Sequence, residues 1–202
     1  WNYIAAFNTI TNTWFNPFGT GLNGNCSVIK AYGNILYVGG SFTSVNGNAW
    51  NRIAAFNTTT NTWFNPFGTG VNLTCSTLTT LGNILYVGGI FTSVNGNAWN
   101  RIAAFNTITN TWFNPFGTGL NSECDVLVMA RDILYIAGNF TTANGVTSNR
   151  MVAFDTSVSN AVAIGNQSGY CGQSIHSVSI GYAAGQQSQG TGSIAIGEYA
   201  GS

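Results

Sequence analysis

A 49-residue repeat is the feature that most limits how this chain can fold. Tryptophan opens three successive copies and recurs at a second position in each: Trp1, Trp50, Trp99, then Trp14, Trp63 and Trp112. A fixed period of this length indicates one supersecondary unit laid down several times. The first part of the chain is therefore expected to be a tandem array of that unit.

Each copy contains four short runs of β-forming residues. In the copy that begins at Cys75 they span 75–81, 84–91, 101–107 and 111–116. Aromatic and β-branched runs bounded by Gly, Asn and Pro are typical of strands, and no segment carries an apolar helical period. Four strands per repeat predict an all-β fold built from β-propeller-type blades.

The aromatic residues are expected to fill the space between blades, because blades that pack face to face need apolar cover on both faces. We assign Trp14, Trp63 and Trp112 to this core. Paired glycines, as at Gly88-Gly89, predict a close approach of neighbouring backbone. Trp50 and Trp99 fall in loops, where stacking on a sugar is an alternative to core packing.

The runs GNILYVGGSFTSVNG and NRIAAFNTTTNTW resemble the kelch and galactose-oxidase-like propeller repeats. They are most similar to the variant in bacterial surface proteins and fungal cortical polarity-marker proteins. The resemblance covers residues 1–156 and implies a fold, not an activity, since this fold hosts many functions. The paired His and Tyr ligands of the copper-containing oxidases are absent here, so that activity is not implied.

The strands between residues 1 and 156 amount to a little over three blades. Known propellers mostly close with four to eight blades. The alternatives are further blades upstream, several chains sharing one ring, or an open stack. An open stack would leave apolar faces bare, so we expect further blades upstream.

Composition excludes several classes of partner. Charged residues make up 5% of the chain and the formal net charge is zero, against about 25% charged residues in ordinary domains. No basic patch is present to neutralise phosphates, so nucleic-acid binding is not expected. No run of about 20 apolar residues is present to span a membrane. We predict no cofactor and no metal site.

Cysteine and arginine also keep the register of the repeat. Cys26, Cys75 and Cys124 occupy one position, at the start of the innermost strand. Equivalent positions in neighbouring blades are usually too far apart for a disulfide, so we expect free buried thiols. Arginine follows the same spacing at Arg52, Arg101 and Arg150, with Tyr3 in the first copy. Arginine there is predicted to cap a blade edge or to bind carbonyls; a ring binding an acidic ligand is the alternative.

After residue 156 the period falls to 16, marked by the Ile-Gly pairs at Ile164, Ile180 and Ile196. Alternation in Val-Ala-Ile and Ile-Ala-Ile is typical of a β-roll or β-helix coil. Residues 161–202, after a linker at 157–160, resemble the head repeats of trimeric autotransporter adhesins, which implies a left-handed β-roll and a three-chain bundle. Cys171 and His176 are interpreted as residues of the coil and not as ligands. Gly190-Thr191-Gly192 is a poor candidate for a nucleotide-binding loop, because no βαβ pattern surrounds it.

Two functions fit these observations. The first is a non-enzymatic attachment protein of a virion or cell surface, a propeller on a homotrimeric β stalk that binds a glycan or host receptor. Its candidate binding residues are Trp50, Trp99, Arg52, Arg101 and Arg150, together with the Asn-Gly loops at Asn46, Asn95 and Asn144. The alternative is a secreted propeller-domain enzyme or lectin acting on carbohydrate. Against an enzyme, the repeats lack clustered carboxylates or a nucleophile and base.

Overall fold

A computed structural model of the chain describes residues 2–156, 162–164, 178–184 and 193–200. Within these residues the protein is all-β, as predicted, and divides into two compact units, Trp1–Phe154 and Asp155–Ser202. The predicted linker 157–160, Cys171, His176 and the Gly190–Gly192 loop lie outside the described residues, as does Trp1.

The first unit contains one hairpin followed by three larger antiparallel sheets. The hairpin pairs β1 (Ala6–Asn8) with β2 (Thr13–Phe15). The first sheet runs in chain order through β3 (Cys26–Tyr32), β4 (Ile35–Gly40), β5 (Ile53–Asn57) and β6 (Thr62–Phe64). The second repeats this order with β7 (Cys75–Leu81), β8 (Ile84–Gly89), β9 (Ile102–Asn106) and β10 (Thr111–Phe113).

The third sheet has three strands, β11 (Cys124–Ala130), β12 (Ile133–Gly138) and β15 (Met151–Asp155). Between β12 and β15 lies a small hairpin, β13 (Thr142–Ala143) with β14 (Val146–Thr147), which the sequence did not predict. The four-strand unit of each full repeat is confirmed. None of the sheets within the described residues closes on itself.

Apolar cores lie between successive sheets, because each sheet is apolar on both faces. Along β9, Ala103 and Phe105 join the core shared with the first sheet, while Ile102 and Ala104 join the core shared with the third. Buried phenylalanines from the loops complete these cores, among them Phe67 and Phe91. Continuous apolar runs such as Ile-Ala-Ala-Phe are explained by this two-sided burial.

Glycine and cysteine fit together between adjacent sheets. Strand β7 packs against β3 on one side and β11 on the other. A Cβ on Gly39 would lie 2.5 Å from Cys75 Sγ, and one on Gly88 would lie 2.6 Å from Cys124 Sγ. The cysteine of each repeat therefore occupies the space that a glycine of the preceding repeat leaves open.

The second glycine of each pair meets backbone, as the sequence predicted. A Cβ on Gly89 would lie 2.1 Å from the Thr74 carbonyl oxygen, far inside van der Waals contact. Gly40 and Gly138 make the same approach to the carbonyls of Asn25 and Glu123. These three glycines pair with the first residues of β3, β7 and β11, next to the β-bulge where the register shifts.

The second unit contains a parallel sheet of β16 (Val162–Ile164), β17 (Val178–Ile180) and β18 (Ile194–Ile196). Each residue of β16 and β17 pairs with the residue 16 positions further along the chain, so the register of the sheet equals the sequence period. The small side chains of Ser179 and Ala195 are buried. The opposite face carries the larger residues, and Ile194 and Ile196 are 69% and 66% exposed.

Candidate functional site

The predicted binding residues lie in one loop of each repeat, between the second and third strands. These loops span 41–52, 90–101 and 139–150 and contain the Asn-Gly pairs. In the first two copies they also hold Trp50 and Trp99; Ser148 takes that place in the third. Each ends at the arginine that precedes the third strand.

The asparagine of each Asn-Gly pair is bound to a neighbouring Gly-Thr-Gly turn. Asn95 Oδ1 accepts hydrogen bonds from the Thr69 backbone N–H at 3.0 Å and the Thr69 hydroxyl at 3.2 Å. Its own backbone N–H donates to the Gly70 carbonyl at 2.8 Å. The other two copies repeat this arrangement with Asn46 and Asn144. The glycine that follows has a positive φ and open space around it.

A second asparagine fixes the start of the same loop. Asn72 Oδ1 accepts from the backbone N–H groups of Thr92 and Ser93 at 2.9 and 3.0 Å, and its Nδ2 donates to the Thr92 hydroxyl at 2.9 Å. The equivalent residues Asn23 and Asn121 make the same three bonds. Both ends of the loop are therefore held by side-chain amides.

The three arginines share an unusual backbone. Arg52, Arg101 and Arg150 have φ values of 62°, 67° and 64°, and Tyr3 at the same position has 62°. Non-glycine residues seldom adopt this region. The Arg101 N–H donates to the Phe91 carbonyl at 2.8 Å, and its carbonyl accepts from Gly89 N–H at 3.0 Å. These two bonds, repeated at Arg52 and Arg150, hold the strained conformation.

The arginine side chains differ between copies. Arg101 Nη1 donates to the Ile90 carbonyl and, at 3.2 Å, to the Phe91 carbonyl. For this residue the predicted binding of carbonyls is confirmed. Arg150 is exposed and its Nη1 lies 3.4 Å from Asn139 Oδ1. Arg52 is half-buried.

Trp50 and Trp99 are half-buried and pack against the apolar cores. The backbone N–H of Trp99 donates to the Asn97 carbonyl at 3.0 Å, and Trp50 does the same with Asn48. Each indole therefore contributes to the core while part of its surface faces solvent.

The strand tryptophans link one repeat to the next. Trp112 Nε1 donates to the Phe67 carbonyl at 3.0 Å, and its ring lies 5.8 Å from Phe67 and 5.0 Å from Phe105. Trp63 makes the equivalent contacts with Phe18 and Phe56. Trp14, for which a core role was also predicted, is 63% exposed, and its ring lies 5.2 Å from that of Phe7.

The cysteines of the first unit are free, as predicted. Cys75 and Cys124 are buried, while Cys26 is half-buried. Burial raises the pKa of the Cys75 thiol far above its usual value. Burial, helped by the nearby Asp125 charge, raises the pKa of the Cys124 thiol to about 12. A thiol that stays protonated is a poor nucleophile and a poor metal ligand.

Across the described ranges, no group of three or more His, Cys, Asp or Glu residues is placed to hold a metal ion. In the same ranges there is no helix with the length and hydropathy to cross a bilayer. In the first two repeats, the surface of these loops consists of half-buried indoles, exposed amides and glycines, with a guanidinium beside them.

The scan against protein-family models gave no match to this chain, and the search of curated proteins gave none. Among solved structures, the computationally designed Ika4 protein is similar with 14% identity and a TM-score of 0.50 over 76% of this chain and 79% of that chain. The designed Ika8 protein is similar with 14% identity and a TM-score of 0.46 over 67% of this chain. The matched region spans 35% of the Ika8 chain. The likeness to Ika4 is one of fold alone.

Proposed function

We propose that this chain is a non-enzymatic structural and attachment protein of a virion or cell-surface fibre. Its first unit is part of a β-propeller that presents loops to a glycan or host receptor. Its second unit is a β-roll that assembles three chains into a stalk.

The observation that carries this proposal is the recurrence of the same side-chain hydrogen bonds in successive repeats. In the second copy, Asn57 and Asn65 bind backbone groups of their own turns. Asn72 and Asn95 bind backbone groups of loops 20 and 26 residues away. Polar groups used in this way hold loops at fixed positions. A rigid array that offers the same surface several times suits attachment, where weak contacts add through multivalency.

The propeller is supported by the order of the strands and the placement of the sheets. Successive strands pair in chain order, and the first strands β3, β7 and β11 lie side by side. The trimeric stalk is supported by the exposed face of the parallel sheet, where Ile164, Ile194 and Ile196 are more than half exposed. Apolar patches of this kind mark sites of association.

A glycan array followed by mass spectrometry of the same glycans tests the proposal. The protein should be retained on a subset of glycans, and those glycans should keep their masses after prolonged incubation. The W50A/W99A variant should lose that retention if the indoles carry it, while an I108A variant should keep it. Turnover of any glycan into new products contradicts the proposal and favours the carbohydrate-active enzyme.

A further inference from the structure

A groove of about 280 Å3 lies at the boundary between the first two repeats and is open to solvent. The turn at 17–19 forms one part of its lining, and the half-buried ring of Trp63 forms another. Three asparagines, Asn46, Asn48 and Asn61, also line the groove. None of the residues that line it carries a charge.

Hydrogen bonds within the protein fix the walls of this groove. Trp63 Nε1 donates to the Phe18 carbonyl at 3.0 Å, and the two rings lie 5.8 Å apart. Asn46 Oδ1 accepts from the Thr20 N–H at 3.0 Å. The indole N–H is therefore already used, and the part of the ring that remains accessible is apolar. A groove that is formed before its ligand arrives loses little conformational entropy on binding.

The amides beside the indole have unused hydrogen-bonding capacity. An asparagine side chain offers two N–H donors and an acceptor oxygen. Within the described residues, Asn46 Nδ2 and the side chain of Asn61 make no hydrogen bond. Asn48 Nδ2 makes only long contacts, 3.5 Å to the Val45 carbonyl and 3.4 Å to the Asn46 carbonyl. These groups are available to a polar ligand in the groove.

The same residues recur in the next repeat. All eight residues that line the groove are identical 49 positions further along the chain. Trp112 Nε1 donates to the Phe67 carbonyl at 3.0 Å, with the rings 5.8 Å apart. Asn95 binds the neighbouring turn as Asn46 does, and Asn110 is exposed like Asn61. The chain therefore carries two copies of one set of aromatic and amide groups.

The chemistry of these residues favours a neutral ligand with both an apolar face and polar substituents. In a lining without charge, a phosphate or carboxylate gains no ion pair to offset its desolvation. The face of an aromatic ring carries partial negative charge and attracts C–H groups, and a pyranose ring with equatorial substituents presents a face of C–H groups. Free amides pair with hydroxyl groups, and their N–H and C=O groups together match an acetamide.

We propose that the grooves at Trp63 and Trp112 bind neutral saccharides that carry N-acetyl groups. This inference rests on the proposed function for its class of ligand, and it moves the contact from Trp50 and Trp99 to the boundary between repeats. Two equal sites on one chain strengthen the binding of a glycan that repeats the same sugar, because the second contact is intramolecular.

Isothermal titration calorimetry with tri-N-acetylchitotriose tests this proposal on the full 202-residue chain. The wild-type protein should bind this trimer saturably. The matched control is the same trimer without its acetyl groups, which is cationic. It should bind about tenfold more weakly, because it has lost the acetamide hydrogen bonds and the groove offers it no carboxylate.

The N61G/N110G variant removes one free amide from each groove and should bind tri-N-acetylchitotriose about tenfold more weakly. Asn61 and Asn110 have φ values of 53° and 54°, which glycine adopts readily, so the urea midpoint should match that of the wild-type protein. The control N12G changes the same position of the first copy, where φ is also 53°. Asn12 does not line the groove, so N12G should bind as the wild-type protein does.

No saturable binding of tri-N-acetylchitotriose, equal binding of the two trimers, or N61G/N110G binding equal to that of the wild-type protein overturns the proposal. If the trimer does not bind while other glycans still retain the wild-type protein on an array, the groove is wrong and the attachment function stands. If N61G/N110G weakens binding but mass spectrometry shows turnover of the glycan, the groove stands and the non-enzymatic function is wrong.

Discussion

The two units differ in which of their described apolar side chains are buried. In the 49-residue repeats, phenylalanines such as Phe91 and Phe105 are fully buried between antiparallel sheets. In the 16-residue repeats, the buried face carries Ser179 and Ala195, and Ile194 and Ile196 face outward. The long repeat is wide enough to enclose an aromatic core with its neighbour. Among the described residues of the short coil the buried side chains are small, which is why we propose that another chain covers its large ones.

The largest effect should follow from removing an aromatic ring of the first unit. The F91A variant leaves a cavity in the core between two sheets and should lower the free energy of unfolding by about 3–5 kcal/mol. The control I108A removes an exposed side chain in a turn and should change it by less than about 0.5 kcal/mol. Urea unfolding measures both. Similar losses in the two variants would contradict the burial of Phe91.

The next effect concerns the close approach of backbone within a repeat. In G89A the new methyl group meets the Thr74 carbonyl oxygen, and we expect a loss of about 2–3 kcal/mol from overpacking. Gly82 has open space but a positive φ of 50°, so G82A should cost only about 1 kcal/mol. Comparing G89A with G82A in thermal and urea unfolding separates the cost of steric crowding from the cost of an unfavourable backbone conformation. A G82A loss larger than that of G89A would contradict this account.

Buried thiols make the free energy of unfolding of the first unit depend on pH in the alkaline range. Burial in the folded protein raises the pKa of the Cys75 and Cys124 thiols above the usual value of 9.0. For Cys124 the pKa rises to about 12. Above pH 9 the unfolded chain loses these protons while the folded chain keeps them. The contribution of the two thiols to the free energy of unfolding is therefore complete below pH 9. It falls as the pH rises towards 12, by about 1.4 kcal/mol per pH unit for each thiol.

The C75A variant isolates this effect from the ionisation of tyrosine and lysine. Urea unfolding at pH 8 and pH 10 should show that the wild-type protein loses about 1.4 kcal/mol more than C75A over this interval. Equal losses in the two proteins would mean that the Cys75 thiol ionises in the folded state, against its burial beneath Gly39.

A smaller effect is expected from the hydrogen bond that links repeats. W112F keeps an aromatic ring but removes the donor to the Phe67 carbonyl, and it should cost about 1 kcal/mol. The matched variant W63F removes the equivalent donor to the Phe18 carbonyl and should cost about the same. If W112F and W63F cost no more than I108A in urea unfolding, these hydrogen bonds would not link the repeats as described.

The sequence predicted the strands well because their signals are local. Strand β7 has the predicted bounds, Cys75 to Leu81. The second strand was predicted to reach Phe91 but ends at Gly89, since the Phe91 side chain enters the core and its carbonyl binds Arg101. The small hairpin β13–β14 was missed because four residues in a polar loop carry no strand pattern.

The candidate site was less predictable because tertiary contacts determine it. Nothing local in Arg101 favours a positive φ; bonds to Phe91 and Gly89 impose it. Asparagines at constant repeat positions, such as Asn72, were a readable signal for the loop anchors. Contact between glycine and the cysteine of the next repeat required coordinates.

The central claim is our proposal that other copies of the chain cover the exposed isoleucines of the second unit, whereas phenylalanines of the first unit are buried within one chain. The most direct test is light scattering of the wild-type chain beside the I194S/I196S variant. We predict three times the chain mass of 21.3 kDa for the wild-type chain, and a single chain for the serine variant with its first unit still folded. A monomeric wild-type chain, or an unchanged trimer in the serine variant, would contradict the claim.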